Sequence, residues 1–334
     1  MNHSASEFYR ELLKRNRFLI TSHVKPEGDA VGSVLAMDSF LKRLGKKTRI
    51  VCEDSFPKKF EFLRQNGWTR FSDFNGKGKR EKFDALLAVD CPDISRIGVV
   101  QKLITSRMTV FNIDHHVTNR GFGHFNYVKA DASACGEVIY DLLIESDMTV
   151  NRGEAQALYV AIATDTGSFR YCNTTENSHY VSSRLIQAGI NIEQINEHLY
   201  ATTSLKQLKF LAFLIGKIRV MSGGSLAWVE ISRDDLKKNR LTYRDTEGFI
   251  DFLKNLKDVK CAILFSEAKN VKGALVNVSF RSKHGCDVSK IAGEFGGGGH
   301  RKAAGCTLRG SLPFVRNKIL ERMKDESKIR CGCG

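Results

Sequence analysis

The chain has 334 residues, 42% hydrophobic and 27% charged, with 9 cysteines, only 4 prolines and a formal net charge of +15. That composition excludes a disordered chain, and the absence of any run of about 18 apolar residues excludes a membrane-spanning helix. The length favours two domains, and an odd cysteine count without a C-x-x-C pair argues against a disulfide framework or a structural zinc site.

The first residues are polar with a helical pattern and lack the apolar core of a signal peptide, so reduced cytoplasm is the simplest compartment. Basic residues cluster at Lys42, Arg43, Lys46, Lys47 and Arg49, at Lys77, Lys79, Arg80 and Lys82, and at Arg233, Lys237, Lys238 and Arg240. Each cluster alone reads as a solvated face. Their sum favours polyanionic substrates such as nucleic acid or nucleotides.

In chain order, residues 17–24 form an apolar, β-branched run that reads as a buried strand. Residues 30–45 follow with helical period and stop at Gly45, a C-cap residue. Strands are expected at 47–54, 83–90 and 108–114, and helices at about 133–147, 152–164 and 177–188. Continuous apolar strands alternating with helices predict a parallel sheet covered on both faces. Residues 191–216 read as a connecting helix. Beyond Gly223 the texture changes to alternating strands at 225–232, 261–268, 273–282 and 304–310, with a helix from about 315 to 330. The expected architecture is therefore α/β: an N-terminal, mostly parallel sheet with helices on both faces over 1–190, a helical linker over 191–223, and a smaller C-terminal α+β domain over 224–334.

Six candidate metal ligands lie in four short segments: His23, Glu27 and Asp29 in HVKPEGD, Asp90 after ALLAV, His115 in NIDHH, and Asp165 in ATDTGSF. His23, Asp90 and the triplet Asp114-His115-His116 all fall where a strand pattern stops, which in a parallel sheet is the edge of the working crevice. Taken singly, each segment has an ordinary reading. Asp29 can cap the helix that begins near Ala30, and Asp90 and Asp165 can end an element. Two adjacent histidines behind an aspartate are harder to explain, because burying them without a partner is costly. Together, four carboxylates and two imidazoles suit a pair of divalent cations, which serve phosphoester hydrolysis by clamping the attacking and leaving oxygens.

A second segment, GEFGGGGHRKAAGC, reads as a loop whose exposed amides approach an anion through Gly297, Gly298 and Gly299, followed by His300, Arg301 and the start of a helix. Upstream, Arg281, Ser282 and Lys283 end a strand and suit phosphate contact.

These segments, in this order, resemble the DHH phosphoesterases, named for the triplet seen here as Asp114-His115-His116. HVKPEGDAVGS, the VD at Asp90, NIDHH and ATDTGSF are similar to that family's successive motifs. GGGGHRKAAG is similar to the signature of its DHH-associated C-terminal domain. The nano-RNase/pAp phosphatase subgroup is the nearest in pattern. The resemblance implies two manganese ions, one held by His23, Glu27 and Asp90 and the other by Asp29, Asp90, His115 and Asp165, with Asp90 bridging. It implies that His116 contacts the scissile phosphate, that Asp114 orients the cluster, and that Arg281, Ser282, Gly297, Gly298, Gly299, His300 and Arg301 bind substrate. Glu27 departs from the pattern, since the family more often has aspartate there. The implied activity is degradation of short RNA oligonucleotides and dephosphorylation of 3′-phosphoadenosine 5′-phosphate (pAp), without a membrane. Linear or cyclic dinucleotide phosphodiesterase activity, a non-catalytic nucleic-acid-binding role and a homodimeric assembly stay open.

Overall fold

The computed structural model describes residues 2–64, 67–77, 82–246, 248–268, 274–283 and 286–326. Lys79 and Arg80 of the second basic cluster and the end of the expected C-terminal helix lie outside these residues. The chain divides into two compact units, 1–202 and 203–334.

The first unit is built on six strands: β1 (Arg17–Thr21), β2 (Lys47–Cys52), β3 (Trp68–Arg70), β4 (Ala85–Val89), β5 (Thr109–Asp114) and β6 (Phe125–Val128). They are ordered β3-β2-β1-β4-β5-β6 and all neighbours run parallel. The chain winds outward from β1 to β3, then returns to β4 and winds the other way. The reversal falls between β1 and β4, where the carboxyl ends of adjacent strands open a crevice.

Strand period of two divides the core. Phe18 and Ile20 of β1, Leu87 and Val89 of β4 and Phe111 and Ile113 of β5 join one apolar cluster. Leu19, Leu86, Ala88 and Val110 point the other way into a second. This is why these strands read as unbroken apolar runs. Helices α1 (Ala5–Leu13), α2 (Gly28–Arg43), α4 (Cys135–Glu145), α5 (Arg152–Asp165) and α6 (Glu176–Gln187) supply residues to the first cluster, as does α7 (Ile192–Tyr200). The opposite face is covered more thinly, by α3 (Phe71–Lys77) and a 3-10 segment, Ile94–Leu103.

Helices α2 and α5 cross closely. A Cβ at Gly32 would lie 2.2 Å from the Ala157 carbonyl, and one at Gly28 2.3 Å from Thr164 Oγ1. Only glycine lets the two backbones approach this far, and the approach brings the first turn of α2 to the last turn of α5.

The second unit holds α8 (Leu205–Ile215), β7 (Arg219–Met221), β8 (Leu226–Ile231), α9 (Arg233–Lys238), α10 (Phe249–Lys254), β9 (Cys261–Glu267), β10 (Leu275–Ser282), α11 (Val288–Glu294), β11 (Gly298–His300), β12 (Ala303–Arg309) and α12 (Leu312–Glu326). Its sheet is ordered β11-β12-β10-β9-β8-β7, with β8 and β9 parallel and the other pairs antiparallel. Cys261, Ile263 and Phe265 of β9 pack with α11 and α12, while Ala262 and Leu264 pack with α8, α9 and α10.

The structure differs from expectation in three places. Residues 191–216 form two helices, α7 and α8, rather than one, because Ser204 caps a new start through the Gln207 amide. The short strands β3 and β6 add three and four residues at the sheet edges, too few to leave a period in the sequence. No helix begins after Arg301: the glycine run enters β11, and the chain turns back into β12.

Candidate metal centre

Five of the six predicted ligands, all but Glu27, meet at the crevice. His23 follows β1, Asp90 follows β4, His115 and His116 follow β5, while α2 and α5 bring Asp29 and Asp165. His115 Nε2 lies 3.6 Å from Asp29 Oδ2, 3.6 Å from Asp90 Oδ1 and 3.7 Å from Asp165 Oδ2. On the other side of Asp90, its Oδ2 lies 3.4 Å from His23 Nε2. Asp29, His115 and Asp165 thus form one group with metal-ligand spacing, and Asp90, His115 and His116 another. Asp90 faces His23 through Oδ2 and His115 through Oδ1. Glu27 is exposed at the N-cap of α2, and its charge acts on Asp165 from the rim.

Each ring and carboxylate is held from behind. His23 Nδ1 donates to the Val24 carbonyl at 2.8 Å, and His115 Nδ1 to that of Ala132 at 3.3 Å. A carbonyl only accepts, so in the neutral ring the proton sits on Nδ1 and Nε2 presents a bare lone pair to the carboxylates. Asp29 does not cap its own helix as the sequence suggested. Its oxygens instead accept the amides of Cys135 (2.6 Å) and Gly136 (3.0 Å) at the start of α4, plus the Ser33 hydroxyl at 3.0 Å. Asp90 has a left-handed backbone, φ 56°, which aspartate tolerates better than most residues.

The electrostatics call for a cation. Burial first, and the Asp90 charge second, push the Asp29 carboxyl up to about 8. Burial likewise raises Asp165 to about 6, with Asp90 adding to it. Burial acts to raise Asp90 too, but the hydrogen bond and charge of His23 overcome it and hold Asp90 below its ordinary value. All three histidines are raised, because the carboxylates outweigh the burial that would lower them. Asp90 Oδ1 is buried with no hydrogen-bond partner among the described residues. An orphaned carboxylate oxygen amid like charges is a costly arrangement for protein alone, and a divalent cation would relieve it. The residues present fit such an ion.

His116 stands slightly apart, its side chain 35% exposed. Its Nδ1 lies 2.7 Å from Asp114 Oδ1, and Asp114, 0% exposed, accepts from Asn119 Nδ2 at 2.6 Å. That amide also reaches Asn112 Oδ1 at 2.8 Å, and Asn112 donates to the Ala88 and Cys91 carbonyls. Asn112 and Asn119 were not foreseen. A sequence signal existed for the first, an amide in the otherwise apolar run VFNID.

In the second unit the expected substrate residues have definite local roles. Alternation along β10 puts Ser282 on the core face, 3% exposed, where its hydroxyl donates to the Cys286 carbonyl at 2.8 Å. Arg281 points the other way, with Nε 3.5 Å from Asp251 Oδ1. Gly297 and Gly299 are demanded by packing: their Cβ positions fall 2.1 Å from the Gly305 carbonyl and 2.5 Å from that of Ala303. Gly298 faces open space, and Arg301 is exposed in the turn. The side chain of His300 lies outside the described residues.

Over 309 residues the chain is 29% identical to the bifunctional oligoribonuclease and PAP phosphatase NrnA of Thermus thermophilus, covering 92% of this chain and 89% of that protein. It is 25% identical over 306 residues to the protein of the same name from Bacillus subtilis, covering 91% and 93%. Among solved structures, an exopolyphosphatase-related protein from Bacteroides fragilis matches with a TM-score of 0.87 over 97% of each chain, at 22% identity, and shows the shared fold. No helix among the described residues is long and apolar enough to cross a membrane. With residues 17–162 matching the DHH family, N-terminal domain, and residues 227–327 matching the DHHA1 domain, the chain belongs to the DHH family.

Proposed function

We propose that the chain is a phosphoesterase with two divalent cations, manganese foremost, that degrades very short oligoribonucleotides to mononucleotides and removes phosphate from pAp. The observation that carries it is the convergence of three carboxylates from three elements on His115 Nε2, with one oxygen of the shared Asp90 left unpartnered. The names of the Thermus and Bacillus relatives support the substrate class. His23, Asp90 and the rim carboxylate of Glu27 would hold one ion, and Asp29, Asp90, His115 and Asp165 the other. When bound, the ions offset phosphate charge and lower the pKa of an attacking water.

The remaining chemistry belongs to the chain. With Nδ1 committed to Asp114, His116 offers Nε2 to a phosphoryl oxygen, and its raised pKa favours the charged, donating form. Asp114, fixed by Asn119, keeps the ring in that orientation and stabilises its charge. Arg281, Arg301, His300 and the amides of Gly297–Gly299 would be the substrate-binding groups of the second unit, and the overall charge of +15 favours polyanions. Ser282 supports that strand end.

The test is hydrolysis by the full chain with manganese, comparing an RNA dinucleotide, a short RNA, a long structured RNA, pAp and a cyclic dinucleotide. Mononucleotides from the short RNAs and phosphate from pAp are expected. Turnover of the cyclic dinucleotide alone would move the enzyme to signalling, and no turnover of any substrate would leave a binding protein.

A further inference from the structure

One short segment, Ala132–Glu137, touches most of the compact ligand group. The Ala132 carbonyl accepts from His115 Nδ1. The Ser133 carbonyl accepts from Asn173 Nδ2 at 3.1 Å, and the same amide group reaches the Asp165 carbonyl at 3.2 Å. The amides of Cys135 and Gly136 are committed to Asp29. A shift of this segment would therefore turn the His115 ring, withdraw two donors from Asp29 and release the backbone of Asp165.

The segment is itself anchored by Glu137, a carboxylate only 1% exposed. Glu137 Oε1 accepts the Ser133 amide at 3.3 Å and, through a short bond, the Ser133 hydroxyl. Its Oε2 accepts from Asn177 Nδ2 on α6 at 2.7 Å. Among the described residues no cation pairs with it. Burying a carboxylate without a cation costs several kcal/mol unless fixed donors replace its water. Here three donors and the N-terminal end of α4 do so. A plain helix cap would not explain the arrangement: the N-cap residue is Ala134, with no side-chain bond, and the first two amides of α4 are taken by Asp29. Glu137 instead ties the ligand-bearing segment to α6.

We propose that Glu137 is a positioning residue of the metal centre, holding Ala132–Gly136 so that His115, Asp29 and Asp165 keep ligand geometry; this rests on the phosphoesterase reading above. Glu137→Ala unpins the segment, and its expected effect is a weakening of manganese binding by about 10- to 100-fold, the usual range for groups that orient ligands. Glu137→Gln keeps the acceptor for Ser133. The Asn177 amide can turn over to meet the new NH2, so this variant is expected to bind manganese close to wild type. Asn177→Ala removes one of the two anchors and is expected to fall between them.

The experiment is calorimetric titration of manganese into the chelator-stripped full chain, for wild type and the three variants, with Tm measured on the same samples. Weakened binding by folded Glu137→Ala, with recovery in Glu137→Gln, supports the assignment. A lowered Tm with unchanged manganese affinity makes Glu137 merely structural and overturns it. Should Glu137→Ala fail to fold, Asn177→Ala decides: weaker binding supports the role, and wild-type affinity overturns it. Wild-type protein that binds no manganese overturns the phosphoesterase reading, and this assignment with it.

Discussion

Asp29, from the first turn of α2, closes the N-terminus of α4: its Oδ2 accepts the Cys135 amide at 2.6 Å across 106 residues of chain. The same oxygen faces His115 Nε2 at 3.6 Å. A single carboxylate therefore caps a helix and supplies a candidate metal ligand. Two amides and the helix dipole favour its charge, while burial and Asp90 oppose it strongly enough to bring the carboxyl to about 8. Without an ion, the site is built against itself.

That conflict gives the first prediction. With its carboxyl at about 8 the metal-free Asp29 is largely protonated at neutral pH, so Asp29→Asn removes little charge and turns an NH2 toward a backbone donor, a lost cap of about 1 kcal/mol. The Tm of the metal-free variant should therefore fall by no more than several degrees. Manganese binding and turnover should both fall by at least ~100-fold, as for removal of a direct ligand. Undiminished turnover would remove Asp29 from the centre.

Asp90→Asn separates stability from activity more sharply. Asparagine accepts the left-handed φ of 56° as readily as aspartate, and no hydrogen bond is lost at the orphaned Oδ1. The charged bond to His23 is weakened, yet the repulsion on Asp29 and Asp165 disappears. The expected outcome is a folded chain of near wild-type Tm with no detectable hydrolysis, since the proposed scheme shares Asp90 between both ions. Thermal melts and a pAp assay on the same preparation would check it, and retained hydrolysis would sink the two-ion scheme.

Much of this centre was legible because parallel strands are apolar throughout, so the polar residues that follow each run mark the crevice. His23, Asp90 and His115 announced themselves in that way. Asp29 was visible as a candidate ligand but not as the cap of α4, since nothing local tells a carboxylate that caps its own helix from one that caps another. Glu137, Asn173 and Asn177 were silent: a polar residue on a helix or in a turn reads as solvent-facing until tertiary packing engages it. In the glycine segment the helix expected after Arg301 gave way to a strand pair. Glycine signals that a side chain is not tolerated, and at Gly297 and Gly299 a neighbouring backbone on β12 is one sufficient cause.

Acid sensitivity of the second unit should trace partly to Asp235. Burial acts to raise its carboxyl, but the Lys217 ammonium at 2.6 Å and the Ser232 amide at 2.8 Å outweigh it and hold it below the ordinary value. A depressed folded-state pKa gives stability that is present above the unfolded value of about 4 and is lost as pH falls through the folded one. Asp235→Asn should therefore be less stable than wild type by ~1 kcal/mol at neutral pH. The gap should close as pH drops below about 4. Denaturant melts across that range would test the sign, and a gap that stays constant into acid would refute it.

Two neighbouring glycines, Gly297 just before β11 and Gly298 at its start, should respond oppositely to alanine. A Cβ at Gly297 would lie 2.1 Å from the Gly305 carbonyl and 2.5 Å from Cys306 Cβ, so Gly297→Ala must push β11 off β12. It should lower Tm clearly, by an overpacking cost of about 1–3 kcal/mol. Gly298 meets nothing within 4 Å, so alanine fits, and in an extended strand it is favoured over glycine by up to about 1 kcal/mol. Packing thus explains glycine at 297 but not at 298, where the proposed function supplies a reason: bare backbone would allow close approach by a ligand. Gly298→Ala should leave Tm unchanged or raised, and lift KM for a dinucleotide several-fold with kcat nearly constant. An unchanged KM would take this strand out of the substrate site while leaving the metal centre untouched.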